Sequence, residues 1–266
     1  DHRDLHSFPT RRSSDLGTCF MSPKNANGQW VSGFNPQLSG GIGSRMYFAE
    51  NNSWIWTFSV QHDIDGLIGL MGGRQNFITK LDRLFNQPPE ISKWQFMGQF
   101  PDASGLHGMF PAGNEPAFHV PYLYNYAGFP WKTQRRIRQI LDIWFDDSPL
   151  GLPGDEDGGA MCAWYVFSAL GFYPVTPGTG IYALGSPLFD KAEIELPCGK
   201  IFSVVAFHNS KKNKYIQSAY LNGKKINRPW VTHSEIMKGG NLKLHMGDHP
   251  NFNWGTDFSW HRKAQQ

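Results

Sequence analysis

The sequence predicts an α+β fold in which a helical region of about 130 residues precedes an all-β region of about 80. Apolar residues recur at helical spacing in the first part of the chain and alternate with polar residues, at a period of two, after Pro174. The chain has 266 residues, of which 40% are hydrophobic and 15% aromatic, so it can build a core and is not a disordered chain.

Two helices are predicted from apolar stripes. The first contains Phe77, Leu81, Leu84 and Phe85, and Asn86 with Pro88-Pro89 ends it. The second has its stripe at Ile137, Ile140, Leu141 and Trp144, and we expect Arg135, Arg136 and Arg138 to point outward.

A third helix contains Met161, Trp164, Tyr165 and Ser168 on one face, but most of its other residues are apolar too. A helix that is apolar all round is typical of a buried one. We therefore expect this helix to be buried on all sides.

The β region is predicted by alternation in three segments and by one turn. The alternating apolar residues are Ala192, Ile194 and Leu196, then Phe202, Val204 and Ala206, then Leu242, Leu244 and Met246. Asn222-Gly223 is a strong hairpin signal after the segment 215–221.

Residues 1–16 look like the in-frame translation of a sequencing-adapter oligonucleotide. They have no apolar segment of the kind found in a signal peptide. We expect a non-native, disordered leader, with the natural chain starting upstream of Gly17; the alternative is a genuine disordered tail.

Composition excludes several functions. The net charge is +3, from 25 basic and 22 acidic residues, which gives no support to a nucleic-acid binder. The longest nearly apolar run, 164–175, is too short and too interrupted to span a membrane. The three cysteines, Cys19, Cys162 and Cys198, are far apart, so neither a disulfide framework nor a zinc site is suggested.

A first polar loop contains Asn114, Glu115 and Pro116, followed by His119. The residue before a proline is disfavoured in a helix, so Glu115 is expected just ahead of one, beside its positive N-terminal end. Ordinary helix-entry chemistry explains this pattern as well as a functional site does.

A second loop contains Asp155, Glu156 and Asp157 before Gly158-Gly159. An EF-hand is excluded, because its sixth position would be Ala160 and its twelfth Val166. A helix N-cap at Asp157 is the alternative, although it explains one acid and not three mutually repelling ones.

A third cluster contains Glu50, Trp54, His62 and Asp63. A lone His-Asp is more often a structural hydrogen-bond pair than a functional one. The glycosylation acceptor Asn51-Asn52-Ser53 adjoins this cluster and is expected to be inaccessible.

Carboxylates on separate loops beside aromatic residues suit glycoside hydrolysis. One carboxyl group donates a proton to the leaving oxygen, and another activates water or attacks the sugar. The residues alone leave this as a hypothesis.

The strings GNEP (113–116), GDED (154–157) and ALGFYPV (169–175), in this order, resemble glycoside hydrolase family 92, the calcium-dependent exo-acting α-mannosidases. The longer segments 47–73, 112–138, 153–178 and 215–226 share the resemblance, which covers roughly residues 18 to 255.

The resemblance implies an inverting hydrolase that removes terminal mannose, of α-1,2 type, from glycans. It implies Glu115 as the general acid, Asp157 as the base with Asp155 beside it, and Ca²⁺ as cofactor. His119, Glu50, His62, Asp63, Trp54 and Asn114 are then expected to bind substrate. Which residues hold the metal is not indicated.

The resemblance also implies part of an (α/α)6 barrel, about its second half, at 17–178, and an antiparallel β region at 179–266. It implies secretion or a periplasmic location.

Departures from the family pattern fall at Ala117, where a polar or acidic residue is usual, and at Gly158-Gly159. Glu115 is retained, whereas relatives that act on mannose phosphodiesters have glutamine there, so ordinary mannosides are favoured.

Two other classes remain open. A carbohydrate-binding module would use the aromatic residues without acids placed for proton transfer. A phosphorylase or another hydrolase on the same kind of barrel would use similar carboxylates.

Overall fold

A computed structural model of the chain describes residues 14–15, 19–40, 47–154, 156–197 and 199–257. Most of the predicted leader, Asp155 and Cys198 therefore lie outside the described residues. The chain divides into two units, Asp1–Val120 with Ser148–Glu156, and Pro121–Asp147 with Asp157–Gln266. No helix in the described ranges is long and apolar enough to cross a membrane.

The first unit consists of short helices and two small ribbons. Its helices are α1 (Ser53–Trp56), α2 (Ile64–Leu70), α3 (Arg74–Asn86) and α4 (Lys93–Gln99), with a 3-10 turn at Glu115–Ala117. Its antiparallel ribbons pair β1 (Ser14–Asp15) with β2 (Phe20–Met21), and β3 (Leu106–His107) with β4 (Phe110–Pro111).

Helix α3 confirms the first predicted helix. Phe77, Leu81, Leu84 and Phe85 are all buried, and the helix ends before the two prolines. The Phe85 ring packs 4.9 Å, centroid to centroid, from that of Phe110, which ties α3 to the ribbon that precedes the first polar loop.

The second unit combines helices with two sheets. Its helices are α5 (Leu123–Tyr126), α6 (Pro130–Trp144), α7 (Ala160–Leu170) and α8 (His233–Met237). A three-stranded sheet has the order β11 (Trp230–Thr232), β6 (Ile181–Leu184), β5 (Phe172–Tyr173). A five-stranded sheet has the order β10 (Lys224–Ile226), β9 (Tyr215–Leu221), β12 (Gly240–Gly247), β8 (Ile201–Phe207), β7 (Lys191–Glu195).

The predicted strands and hairpin are confirmed. Asn222 and Gly223 both have positive φ, 49° and 79°, as the two-residue turn between β9 and β10 requires. Strand pairing in the described sheets is antiparallel, with one exception: β12 runs parallel to β8. Strand β12 lies in the middle of the five-stranded sheet, between β9 and β8.

Two of the three arginines expected to point outward from α6 are buried instead. Arg138 is only 2% exposed, and its guanidinium donates to the carbonyl oxygens of Pro187 and Ser210 and to the Asn209 side chain, at 2.9–3.1 Å. Arg136 is also buried, while Arg135 is exposed as predicted. Hydrogen bonds from segments distant in sequence offset the cost of burying the Arg138 charge.

The expectation that α7 is buried on all sides is also wrong for the chain as described. Met161, Trp164 and Ser168 form a buried face, whereas Cys162 and Val166 are exposed. The helix therefore contacts its own unit along one stripe and presents an apolar outer face.

The chain is thus a mixed helix-and-sheet protein, with largely antiparallel strands at its C-terminal end. The first polar loop leads into the 3-10 turn at Glu115–Ala117, and the second leads into α7.

Candidate active site

Glu115 is the first residue of a 3-10 turn, and not a residue just ahead of a helix as the following proline predicts. Asn114 is extended (φ −140°, ψ 132°), and its carbonyl accepts from the Ala117 amide at 3.1 Å. Glu115 is half-buried, while Asn114 is only 2% exposed. The Asn114 Oδ1 atom has no hydrogen-bond partner among the described residues, so it is a buried acceptor available to a donor group.

The backbone just before Asn114 lies directly against the start of the acidic loop. A Cβ atom on Gly113 would overlap the Pro153 carbonyl oxygen, and one on Gly154 would overlap the Gly113 carbonyl oxygen. The Ser104 hydroxyl donates to the same Pro153 carbonyl. Glycine is therefore required on both sides of this contact, which holds the GNEP loop against the GDED loop at Gly154.

His119 fixes the segment that follows Glu115. It is 3% exposed; its Nε2 lies 2.8 Å from the Phe58 carbonyl oxygen and its Nδ1 lies 3.1 Å from Gln61 Nε2. Burial lowers its pKa to about 4, although the hydrogen bond to Phe58 opposes this shift. A neutral imidazole with its proton on Nε2 satisfies both contacts, so His119 links its turn to the segment 58–61.

Asp157 occupies an unusual turn in front of α7. It has φ 52°, and Gly158 and Gly159 after it also have positive φ. Asp157 is exposed and does not cap the helix: Gly159 is the N-cap, with no side-chain capping bond. The N-cap interpretation of Asp157 is therefore wrong. Aspartate tolerates the left-handed region better than most residues with a Cβ atom, so this turn is compatible with the residue found there.

The third cluster divides into buried and exposed members. Trp54 is 3% exposed; its ring packs edge-on against Phe20 at 4.8 Å, and the Lys80 ammonium lies 5.2 Å from the ring centre. Glu50 is exposed, with φ 59°. Trp54 thus contributes to the core of the first unit, while Glu50 lies on a surface turn.

His62 and Asp63 are both exposed. Asp63 caps α2, since its carboxylate accepts from the Gly66 amide at 2.9 Å. The expectation that the acceptor Asn51 is inaccessible is confirmed, because Asn51 is 2% exposed.

The described residues do not assemble a metal site: no group of three His, Cys, Asp or Glu side chains among them is close enough to hold an ion. Asp155 is outside this set. Glu115, Asn114 and His119 belong to the first unit together with Gly154, whereas Asp157 belongs to the second.

Three positioning residues, Ser104, Pro153 and Gln61, are not predicted from the sequence. Nothing in their spacing relates them to the polar loops, because each acts through a contact 49 or more residues away. The glycines at 113 and 154 were a usable signal, since glycine beside a functional loop often marks close backbone approach.

Comparison with known sequences gives a consistent result. Residues 6–248 match the glycosyl hydrolase family 92 catalytic domain, a match that begins inside the segment predicted to be a leader. A curated protein of Arthroderma benhamiae, described as an uncharacterized secreted glycosidase, is 35% identical over 248 residues. That alignment covers 89% of this chain and 29% of the relative.

Solved structures show the same relationship. A GH92 α-mannosidase from Bacteroides thetaiotaomicron in complex with mannoimidazole is 32% identical, with a TM-score of 0.85 over 96% of this chain and 34% of that one. A GH92 inverting mannosidase from the same organism is 39% identical, with a TM-score of 0.79 over 94% and 34%. The chain therefore spans about a third of the length of these relatives.

Proposed function

Because the chain belongs to glycosyl hydrolase family 92, we propose that it forms part of an enzyme that hydrolyses terminal α-mannosides of glycans. The observation that supports this most is the backbone contact of Gly113 with Pro153 and Gly154, which holds the Glu115 loop against the residues that lead into the acidic loop. The similar solved structures are described as mannosidases.

In this proposal Glu115 is the general acid. It protonates the glycosidic oxygen as the bond to the anomeric carbon breaks, and Asp157 or Asp155 removes a proton from the attacking water. The buried Asn114 Oδ1 accepts a hydrogen bond from a sugar hydroxyl, which offsets the cost of its burial. His119 positions the turn through its bonds to Phe58 and Gln61.

Inversion requires the acid and the water-activating base on opposite sides of the anomeric carbon. The two carboxyl groups should then lie about 6.5–9.5 Å apart, against about 5–5.5 Å in a retaining enzyme. A crystal structure of the full-length enzyme with a bound mannoside tests this distance, and the stereochemistry of the first product tests the outcome independently.

Substitution separates the two roles. Glu115→Gln should slow hydrolysis of natural mannosides by about 10²–10⁴-fold, while activated aryl mannosides should lose much less because their leaving group needs no proton. Asp157→Ala should slow both, since water activation is common to them. A Glu115→Gln enzyme with unchanged rates on natural mannosides would overturn the assignment.

Calcium dependence of the intact enzyme is a further part of the proposal and rests on the family resemblance. No three His, Cys, Asp or Glu side chains of the described residues come together to hold an ion, and no step of the mechanism is assigned to the ion. Asparagine and carboxylate oxygens are the ligands that calcium prefers. Treatment of the full-length enzyme with EGTA should abolish activity and added Ca²⁺ should restore it; full activity after EGTA would contradict this.

Three finer points complete the proposal. The helical part is taken as about the second half of an (α/α)6 barrel, and the linkage as α-1,2. Secretion or a periplasmic location agrees with the secreted glycosidase of Arthroderma benhamiae. Assays on α-1,2-, α-1,3- and α-1,6-linked mannobiose with the full-length enzyme test the linkage.

The alternatives have distinct readouts. A carbohydrate-binding module would bind mannosides without releasing mannose from p-nitrophenyl mannoside. A phosphorylase would need inorganic phosphate and would release mannose 1-phosphate.

A further inference from the structure

A cavity of about 410 Å³ lies in the second unit at one end of the three-stranded sheet. It is lined by the turn before β6, by β11 and by the start of α8, with Thr179, Gly180, Trp230, Thr232, His233 and Ser234 among its residues. Its volume falls within the range of about 300–1,000 Å³ found for small-molecule sites. It shares no residue with the catalytic candidates.

The lining contains no acidic or basic side chain apart from His233, and most of its exposed surface is apolar, while its polar groups are hydroxyls and the imidazole. Arg228 and Glu235, which contact the lining residues Trp230 and Thr232, pair with each other at 2.5 Å. The Arg228 guanidinium also lies 4.0 Å from the centre of the Trp230 ring. A ligand suited to this lining is neutral, with an apolar face for the indole and several hydroxyl groups.

The imidazole of His233 is held in place and faces solvent. Its Nδ1 lies 3.2 Å from the Tyr182 hydroxyl, and its backbone amide donates to the Gly180 carbonyl at 2.7 Å. If Nδ1 accepts from Tyr182, Nε2 carries a proton that it can donate to a ligand. The Ser234 hydroxyl lies 3.0 Å from Thr232 Oγ1 and is exposed, so it adds a second polar group at the rim.

We propose that this cavity is a secondary glycan-binding site that takes one neutral pyranose unit. The Trp230 indole contacts the apolar face of the sugar, while His233 and Ser234 bond to its hydroxyls. An enzyme that holds a branched glycan at a second point raises the effective concentration of the remaining branches near its catalytic groups. The choice of a mannoside as probe rests on the proposed function, whereas the site itself rests on the chemistry of its lining.

Equilibrium dialysis of the whole chain with radiolabelled methyl α-mannopyranoside tests the proposal. His233→Ala should weaken binding at one site by about tenfold or more, because it removes the fixed donor. Ser234→Arg should abolish binding at that site by filling its mouth. The matched control is His249→Ala, which alters an exposed histidine elsewhere in the unit and should leave binding unchanged.

Methyl glucopyranoside and methyl galactopyranoside, used in parallel, establish whether other neutral sugars fit. Unchanged stoichiometry and affinity in both His233→Ala and Ser234→Arg would overturn the proposal, as would displacement of the sugar by inorganic phosphate. The rate of hydrolysis by the full-length Glu115→Gln enzyme is measured separately from sugar binding. A wrong catalytic assignment and a wrong sugar site therefore give different results.

Discussion

At the scale of single residues, burial of His119 couples the stability of the first unit to pH. Its pKa in the folded chain is about 4, below its ordinary value of 6.5. Between these two values the unfolded chain binds a proton that the folded chain does not. The free energy of unfolding should therefore fall as pH drops from 6.5 to 4, by up to about 3 kcal/mol at about 1.4 kcal/mol per pH unit.

Urea denaturation at pH 7.5, 6, 5 and 4.5 measures this dependence. His119→Gln should be less stable at neutral pH but should show a smaller loss on acidification, because its side chain does not titrate. His249→Gln, at an exposed position, is the control and should follow the parent curve. A parent and a His119→Gln variant with the same pH dependence would contradict the role of burial.

Asp157 is expected to combine a local cost in stability with its proposed role as the base. Its φ of 52° is unfavourable for a residue with a Cβ atom and costs about 1 kcal/mol or more. Asp157→Gly should therefore raise the free energy of unfolding by about 1 kcal/mol, while it removes the proposed base. Gly158→Ala is the matched opposite change at φ 67° and should lower stability.

Thermal unfolding of the whole chain and mannosidase assays of the full-length enzyme provide the two measurements. A destabilised Asp157→Gly variant would show that the aspartate has a structural role in the turn after all.

At the scale of elements, the contact between the two polar loops depends on a missing side chain at Gly113. A methyl group there would overlap the Pro153 carbonyl oxygen, which is backbone and cannot rotate away. Gly113→Ala should lower the free energy of unfolding by about 1–3 kcal/mol and should reduce kcat of the full-length enzyme, since the Glu115 loop must move.

Gly69→Ala is the control for this substitution. Gly69 lies in α2 with nothing near its Cβ position, so alanine should stabilise the helix by up to about 1 kcal/mol. Equal effects of the two substitutions in chemical denaturation would contradict the tight contact at Gly113.

The regular elements were predictable because their signals are local. The stripe of α3 and the alternation in β8 depend on residues within one segment, and Asn222-Gly223 determines its own turn. The burial of Arg138 was not predictable, because its acceptors lie 49–72 residues away.

The candidate site follows the same rule. Glu115 and Asp157 could be selected from composition and resemblance, since acids beside proline and glycine are visible in the sequence. The Ser104 and Gln61 contacts depend on tertiary structure, as does the core position of Trp54. A tryptophan beside a polar cluster has the same local pattern whether it binds a sugar or fills the core.

At the scale of the whole molecule, several large apolar side chains are exposed. Trp94, Leu150 and Phe252 are 81%, 91% and 63% exposed, and the outer face of α7 adds Val166. Such surfaces promote association. We expect the isolated chain to be poorly soluble and to self-associate, as measured by sedimentation velocity over a range of concentrations.

Trp94→Glu with Leu150→Glu should shift this equilibrium toward the monomer, whereas Arg135→Glu, on an already polar surface, should not. A monomeric sample of residues 17–266 that unfolds cooperatively at all concentrations would contradict the expectation.

The central position of β12 has a consequence for synthesis on the ribosome. Strands β7 and β8 form one antiparallel pair and β9 and β10 another, and in the five-stranded sheet β12 is the strand that joins them. At about 5–20 residues per second, β12 is completed about 2–8 s after β8. Until then both pairs present unpaired apolar edges in the nascent chain, so chaperones should bind arrested chains that stop before Gly240 more strongly than those that extend past Gly247.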